Sequence, residues 1–225
     1  MKTIALNEAY FCGAATIQRT ENGFKPWRLP HTRRHLFPSP DDGLMMRAAC
    51  TSGVRLRLAT DAQKITVRFA PLAEVNPVLD GHAFDLVTDN QIVDTALCDR
   101  GCKEASFETA EPGEKIAEIW LPPSCPVVVR ELMVDDGASA FPRPDRRPLW
   151  ATWGSSLTHC VRAGSASRTW PGTVARTHGL NHINLGFGGQ CHLDPAVAMF
   201  IRDLPVDYIS LKLGINALGS GSVNA

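Results

Sequence analysis

Aromatic residues are scarce in this chain: they make up 7% of 225 positions, with only two tyrosines. Gly (18) and Pro (16) are scattered rather than repeated, so the composition is globular, neither disordered nor collagenous. Net charge is absent too, with 23 Lys+Arg against 23 Asp+Glu. A nucleic-acid binder would show a basic excess, so that class is excluded. No uncharged apolar run reaches the roughly 18 residues of a membrane-spanning helix. The first residues carry one Lys and a short apolar stretch broken by Asn7 and Glu8, which is not a secretory leader. A cytoplasmic location is therefore expected. The seven cysteines are odd in number and irregular in spacing, which fits no disulfide framework and implies reduced thiols. Cys98 and Cys102 have tolerable metal-ligand spacing, but no second pair follows, so they are read as ordinary loop or core residues.

The length suits one large domain or two small ones, and the charge distribution favours two. Residues 148–225 hold only 8 charged side chains, yet 10 of the 18 glycines. Low charge with many glycines suits buried strands joined by tight, functional turns. Between the two parts, residues 141–148 contain three prolines and four charges. Proline fixes φ and donates no backbone hydrogen bond, so this segment is expected to be an extended linker.

The first part is predicted to be β-structure, with strands at 44–50, 54–60, 64–70, 83–88, 91–96, 115–121 and 127–134. Several alternate apolar and polar residues, as in Val54-Arg-Leu-Arg-Leu, the period of a strand with one buried face. Turn signals at Asp41-Asp42-Gly43, Ser52-Gly53, Asp80-Gly81, Asp89-Asn90 and Pro112-Gly113 separate them. Such spacing suggests an antiparallel sandwich, jelly-roll-like, over residues 1–140. His31 and His35, flanking Arg33 and Arg34, are expected in a solvated loop. His82 is expected at a loop or strand end.

The second part changes period. Strands are predicted at 149–153, 183–187 and 206–213. Helices are predicted at 170–179, with Pro171 early and Gly179 at its end, and at 195–202, with Asp194 as N-cap. Strand–helix–strand–helix–strand implies a parallel sheet. In such a sheet ligands bind beyond the carboxyl ends of the strands. All three strands end in polar or Gly-bearing turns: Gly154-Ser155-Ser156-Leu157-Thr158, Asn184-Leu-Gly186-Phe-Gly188-Gly189-Gln190, and Gly214-Ile215-Asn216.

The chemistry of the three turns is complementary. A serine at a strand-to-helix turn exposes its hydroxyl where developing negative charge is favoured. A glycine in the second turn lets a backbone N–H approach a substrate oxygen. An asparagine amide from the third can donate to the same oxygen. A serine with such donors is a nucleophile with an oxyanion hole, suited to acyl transfer. Plainer readings stand beside this one: Ser155 and Ser156 as helix-capping residues, the glycines as a tight turn, Asn216 as a loop hydrogen bonder. His159 lies one turn beyond Ser156 and is read as a surface or packing residue rather than a base. His178 and His182 are assigned to a helix end and loop. Cys160 and Cys191 are assigned to packing, with a thiol nucleophile the lesser alternative.

The three blocks resemble those of the SGNH (GDSL-type) hydrolases, in the subgroup where a serine replaces the usual acidic residue of the first block. The resemblance covers about 148–219. It implies that Ser156 is the nucleophile. Its own N–H, that of Gly189 and the side chain of Asn216 would form the oxyanion hole. It also implies a flavodoxin-like three-layer α/β/α domain behind an N-terminal β-sandwich, and a serine esterase, acylhydrolase or acyltransferase. The expected substrate is a small-molecule or glycan ester, and no metal or organic cofactor is implied.

The Asp-x-x-His block of that family, which supplies the general base, has no counterpart: no Asp in the chain is followed by a His three residues on. Residues 149–225 are accordingly expected to be the first part of such a domain, truncated, with little esterase activity. The rival reading is a carbohydrate- or partner-binding sandwich with a vestigial hydrolase segment, in which Trp27 and Trp120 would be stacking platforms.

Overall fold

The computed structural model describes residues 1–39, 42–72, 81–99, 101–110 and 112–219. The turn positions Asp41 and Asp80, and the tail from residue 220, lie outside them. The fold is mixed α/β, dominated by antiparallel sheet with a few short helices.

Two six-stranded antiparallel sheets form the first part. One contains β1 (Lys2–Ile4), β3 (Thr16–Thr20), β4 (Gly23–Trp27), β6 (Lys64–Phe69), β9 (Glu104–Glu108) and β11 (Val129–Val134). The other contains β2 (Phe11–Cys12), β5 (Arg55–Thr60), β7 (His82–Thr88), β8 (Gln91–Cys98), β10 (Lys115–Trp120) and β12 (Ala140–Pro142). Their inner faces share one core. Ile65, Val67, Phe107 and Leu132 from the first sheet meet Leu56, Leu58, Leu86 and Ile119 from the second. Phe69 and Phe84 stack across the gap with ring centroids 4.7 Å apart. The sandwich follows from the period-two alternation, since each strand has an apolar face that must find another sheet.

Residues 44–50 are not a strand. Gly43–Ala49 form helix α1, which buries Leu44, Met45, Ala48 and Ala49 and leaves Met46 exposed. That spacing is helical, and the segment contains Leu, Met, Arg and Ala, all good helix formers, with no β-branched residue. The apolar run reads as a strand because a short buried helix and a short buried strand look alike in composition.

The third sheet is parallel, with β13 (Leu149–Gly154) between β14 (Asn181–Gly186) and β15 (Tyr208–Lys212). Helices α2 (Ser156–His159) and α3 (Trp170–Thr177) follow β13, α4 (Pro195–Asp203) follows β14, and α5 (Ile215–Gly219) follows β15. Pro171 sits in the first turn of α3, and the hydroxyl of the N-cap, Thr169, accepts from the Gly172 N–H. Asp194 occupies the N-cap of α4 without a side-chain capping bond. On one face of this sheet, Ala151, Trp153, Ile183 and Leu185 pack with α1 and with Val197 and Ile201 of α4. On the other face, Trp150 packs with Ala175 of α3 and with Val87 and Trp120 of the sandwich.

The Pro-rich segment is anchored rather than free. Its first residues extend β12, which pairs with β5. Asp145 and Arg147 then enter a buried cluster with Arg55, Arg57 and Glu118. Arg55 lies 2.6 Å from Asp145, Arg57 lies 3.0 Å from Glu118, and Arg147 contacts both acids. Against the opposing effect of burial, the Arg147 and Arg55 guanidinium groups hold the Asp145 carboxyl well below its usual range.

Candidate active site

The first turn leaves β13 at Gly154. A Cβ there would meet the Lys212 carbonyl of β15 at 2.9 Å, so the close approach of the strands requires glycine. Ser155 is buried in the N-cap position of α2, and its side chain makes no capping bond. Ser156 is exposed at the first helical position. A side chain pointing to solvent from a tight strand-to-helix turn is accessible to an incoming carbonyl.

The second turn lies against the first. A Cβ on Gly188 would stand 3.6 Å from Ser156 Cα and 3.8 Å from its Cβ. Gly189 has φ of +75° with nothing within 4 Å of its Cβ position, so it is both a left-handed residue and an open one. The third turn reaches the second through Asn216, whose Oδ1 accepts from the Cys191 N–H at 3.2 Å. That bond commits Oδ1 as an acceptor, so the donor the amide can offer is Nδ2. The three blocks are therefore joined: Ser156 to Gly188 by contact, and Asn216 to the residue after Gln190 by a hydrogen bond.

His159 is not a surface residue; it is fully buried beneath this junction. Its Nδ1 accepts from the Gly188 N–H at 3.2 Å. The ring proton must then be on Nε2, which donates to the Pro123 carbonyl at 3.0 Å. Burial, with Arg28 nearby, drives its pKa well below 6.5. Both nitrogens are engaged, so His159 does not act as a base for Ser156.

His182, assigned from sequence to a loop, is a buried residue of β14. It shares a 2.9 Å hydrogen bond with Thr152, and burial lowers its pKa to about 3. His178 is the C-cap of α3, a helix end as expected. His31 begins a 3-10 helix, His31–Leu36, and bonds Thr16 at 2.8 Å, so that segment is not a bare loop. Burial raises the thiols of Cys160 and Cys191, the latter to about 11, which removes the thiolate that a cysteine nucleophile needs. Trp120 is buried in the core, and Trp27 carries Lys25 over its ring at 4.3 Å, so neither is a bare stacking platform.

Sequence reasoning missed the arginines that support the site. In the three-stranded sheet β14 is an edge, and every second carbonyl points away from β13. Arg55 donates to the His182 carbonyl at 3.1 Å. Arg28 donates to those of Asn184 at 3.0 Å and Gly186 at 2.7 Å. Arg47, on α1, donates through Nε to that of Gly188 at 3.0 Å. Three arginines of the sandwich part thus cap four successive outward carbonyls, where an open sheet would need another strand. Arg28 is wholly buried and also donates to the Cys50 and Arg47 carbonyls. Burial pulls its pKa down to about 10, so it stays charged at neutral pH. Asn184, equally buried, donates to Ser52 at 3.0 Å and to the Thr158 carbonyl at 2.9 Å, tying sandwich, strand and α2 together. The alternation of β5 suggests solvent-facing arginines; Arg55 and Arg57 are instead buried, held by Asp145 and Glu118 and by backbone oxygens that no sequence pattern marks.

Comparison with known proteins gives the following. The family model described as the SsfX3 N-terminal domain matches residues 9–130. Among solved structures, the salicylyl-acyltransferase SsfX3 from a tetracycline biosynthetic pathway is similar over 98% of this chain at 31% identity, with a TM-score of 0.87. This chain spans 64% of that protein's length. A protein from Bacteroides ovatus described as a GDSL-like lipase shares the fold over 92% of this chain and 62% of its own, at 19% identity and a TM-score of 0.69. A family 2 carbohydrate esterase with a carbohydrate-binding domain, from Corynascus thermopiles (Myceliophthora fergusii), shares it over 74% and 61%, at 15% identity and a TM-score of 0.54. No curated protein sequence matches.

Proposed function

Since the chain belongs to the SsfX3 N-terminal-domain family, we propose that it carries the nucleophile and oxyanion donors of a serine acyl-transfer site acting on esters. Ser156 Oγ attacks the ester carbonyl. The resulting oxyanion accepts hydrogen bonds from the Ser156 N–H, the Gly189 N–H and Asn216 Nδ2. Collapse of this intermediate expels the alcohol, which takes up a proton, and leaves an acyl group on Ser156. Water or a second alcohol then accepts that group, which makes the protein an esterase or an acyltransferase. The observation that carries the reading is the junction of the three turns, with Gly188 against Ser156 and the Asn216 carbonyl oxygen locked onto the Cys191 N–H.

His159 is excluded as the base, and the sequence has no Asp-x-x-His element, so the proton of Ser156 must pass to a base outside these residues. The three-stranded sheet, in order β14-β13-β15, is read as the opening of a flavodoxin-like layout. Small-molecule and glycan esters are the substrate classes proposed. One structural relative is named for transferring a salicylyl group, and another is a carbohydrate esterase.

A fluorophosphonate probe tests the reading through covalent labelling followed by intact mass. A form of the protein that includes the base is expected to gain one adduct, mapped to Ser156, and its Ser156→Ala variant none. Equal labelling of Ser156→Ala sinks the assignment.

A further inference from the structure

In most serine acyl-transfer sites the donor N–H must be aimed before the substrate arrives, because a preorganised dipole stabilises charge without reorganising. What aims the Gly189 N–H in this protein is visible in the hydrogen bonds on either side of Gly188. The Gly188 N–H is already committed to His159 Nδ1 at 3.2 Å, so it is not a donor to substrate. The Gly188 carbonyl is committed to Arg47 Nε at 3.0 Å. The bond joining Gly188 to Gly189 is trans. In a trans peptide the C=O of one residue and the N–H of the next point in opposite directions. Fixing the Gly188 oxygen on Arg47 therefore directs the Gly189 N–H away from Arg47. Glycines on both sides of this peptide leave it free to rotate as a unit, so something must hold it.

We propose that Arg47, supplied by helix α1 of the sandwich part, is a positioning residue that locks the Gly188–Gly189 peptide in the orientation presenting the Gly189 N–H as oxyanion donor. The inference rests on the acyl-transfer reading of Ser156 and Gly189. It assigns the sandwich a part in the site itself: the last of the arginines lining the β14 edge ends on the turn that carries the chemistry. His159 is its counterpart from the other side, holding the N–H end of Gly188 from below α2. Arg47 is half-buried and borders a cavity of about 1120 Å³ together with Lys25, Phe37, Met45 and Gln190, so its side chain can be replaced with room for the substitute.

The test compares fluorophosphonate labelling of Ser156 in a form of the protein that includes the base and in its Arg47→Met and Arg47→Lys variants. Rates are followed over a range of probe concentrations, to separate the maximal labelling rate from half-saturation. Removing an oxyanion donor outright costs about 100- to 1000-fold in such sites. Loosening one is expected to lower the maximal rate of Arg47→Met by roughly 10- to 100-fold, with half-saturation changed less than about twofold. Arg47→Lys, which keeps a cationic donor, is expected to recover part of the rate. A second measurement does not depend on chemistry: the amide ¹H–¹⁵N resonance of Gly189 should shift and its hydrogen exchange quicken in Arg47→Met. Resonances of the β13 strand should stay in place, reporting an intact fold. Wild-type labelling at Ser156 with an unchanged rate in Arg47→Met overturns the inference while leaving the acyl-transfer reading intact. An unmoved Gly189 resonance overturns it independently. A base-containing form that does not label at Ser156 overturns the acyl-transfer reading, and with it the role given to Gly189.

Discussion

Replacing Arg28 by Met removes a guanidinium that no carboxylate among the described residues neutralises. Arg28 donates to four backbone carbonyls, those of Arg47, Cys50, Asn184 and Gly186, and stands over the Phe187 ring at 5.2 Å. A hydrogen bond from a charged donor contributes about 1.5–3 kcal/mol, and a buried carbonyl left without a partner costs about 1–3 kcal/mol. Against this, the variant no longer has to desolvate a charge, which costs several kcal/mol in the wild type. Met fills much of the stem volume, so little cavity term is added. The net loss expected is about 3–5 kcal/mol, the range found when one side of a buried charged contact is removed. That is a large fraction of the 5–15 kcal/mol typical of a folded domain. Urea unfolding followed by circular dichroism reads it directly. With a slope of about 2–3 kcal/mol per molar, the midpoint should fall by roughly 1–2 M. Arg28→Lys should fall between the two, because a single ammonium cannot reach carbonyls on both α1 and β14. A midpoint shift below about 0.3 M for Arg28→Met would show that the carbonyls find other partners, and would refute the claim that this arginine fastens the two parts together.

Two further outcomes follow from the same interior. His159 and His182 are buried and neutral, with pKa values lowered by burial, that of His182 to about 3. The unfolded chain binds protons near pH 6.5 while the folded chain does not, so stability is full above about 6.5 and falls as pH drops below it. Each histidine should contribute a slope of about 1.4 kcal/mol per pH unit in that window; a flat unfolding free energy between pH 6.5 and 5 would contradict their burial. Gly186→Ala places a Cβ 2.5 Å from the Thr158 carbonyl carbon and on the His159 N–H, against backbone that cannot turn aside. It should cost about 1–3 kcal/mol and lower Tm by about 2–4 °C per kcal/mol, measured by calorimetry.

How far the sequence carries can be judged from particular elements. The strand-turn blocks are legible because a buried parallel strand is an apolar run and its functional turn is punctuated by Gly, Ser and Asn. That pattern places the turns carrying Ser156, Gly189 and Asn216 after β13, β14 and β15; the choice of residue within each turn is what the resemblance to the SGNH hydrolases implies. Helix α1 was misread because seven residues of buried apolar sequence carry almost the same composition in either conformation. Strands β3, β4 and β9 are not marked by the sequence: β3 and β4 are mostly only partly buried, and β9 has just Ala105 and Phe107 to mark its buried face.

Local order and chemical type, then, were determined by the amino-acid sequence itself: which segments extend, which coil, and which turns hold a hydroxyl, a mobile backbone N–H and an amide. What only the tertiary structure decided is the company those turns keep. Arg28, Arg47 and Arg55 lie 127 to 158 positions from the carbonyls of β14 and its following turn that they hold. A backbone oxygen is the same in every residue, so nothing in the order of side chains announces that a strand edge will need three guanidinium groups. Likewise the sequence leaves His159 between surface and packing; only the tertiary structure buries it and turns both its nitrogens onto Gly188 and Pro123.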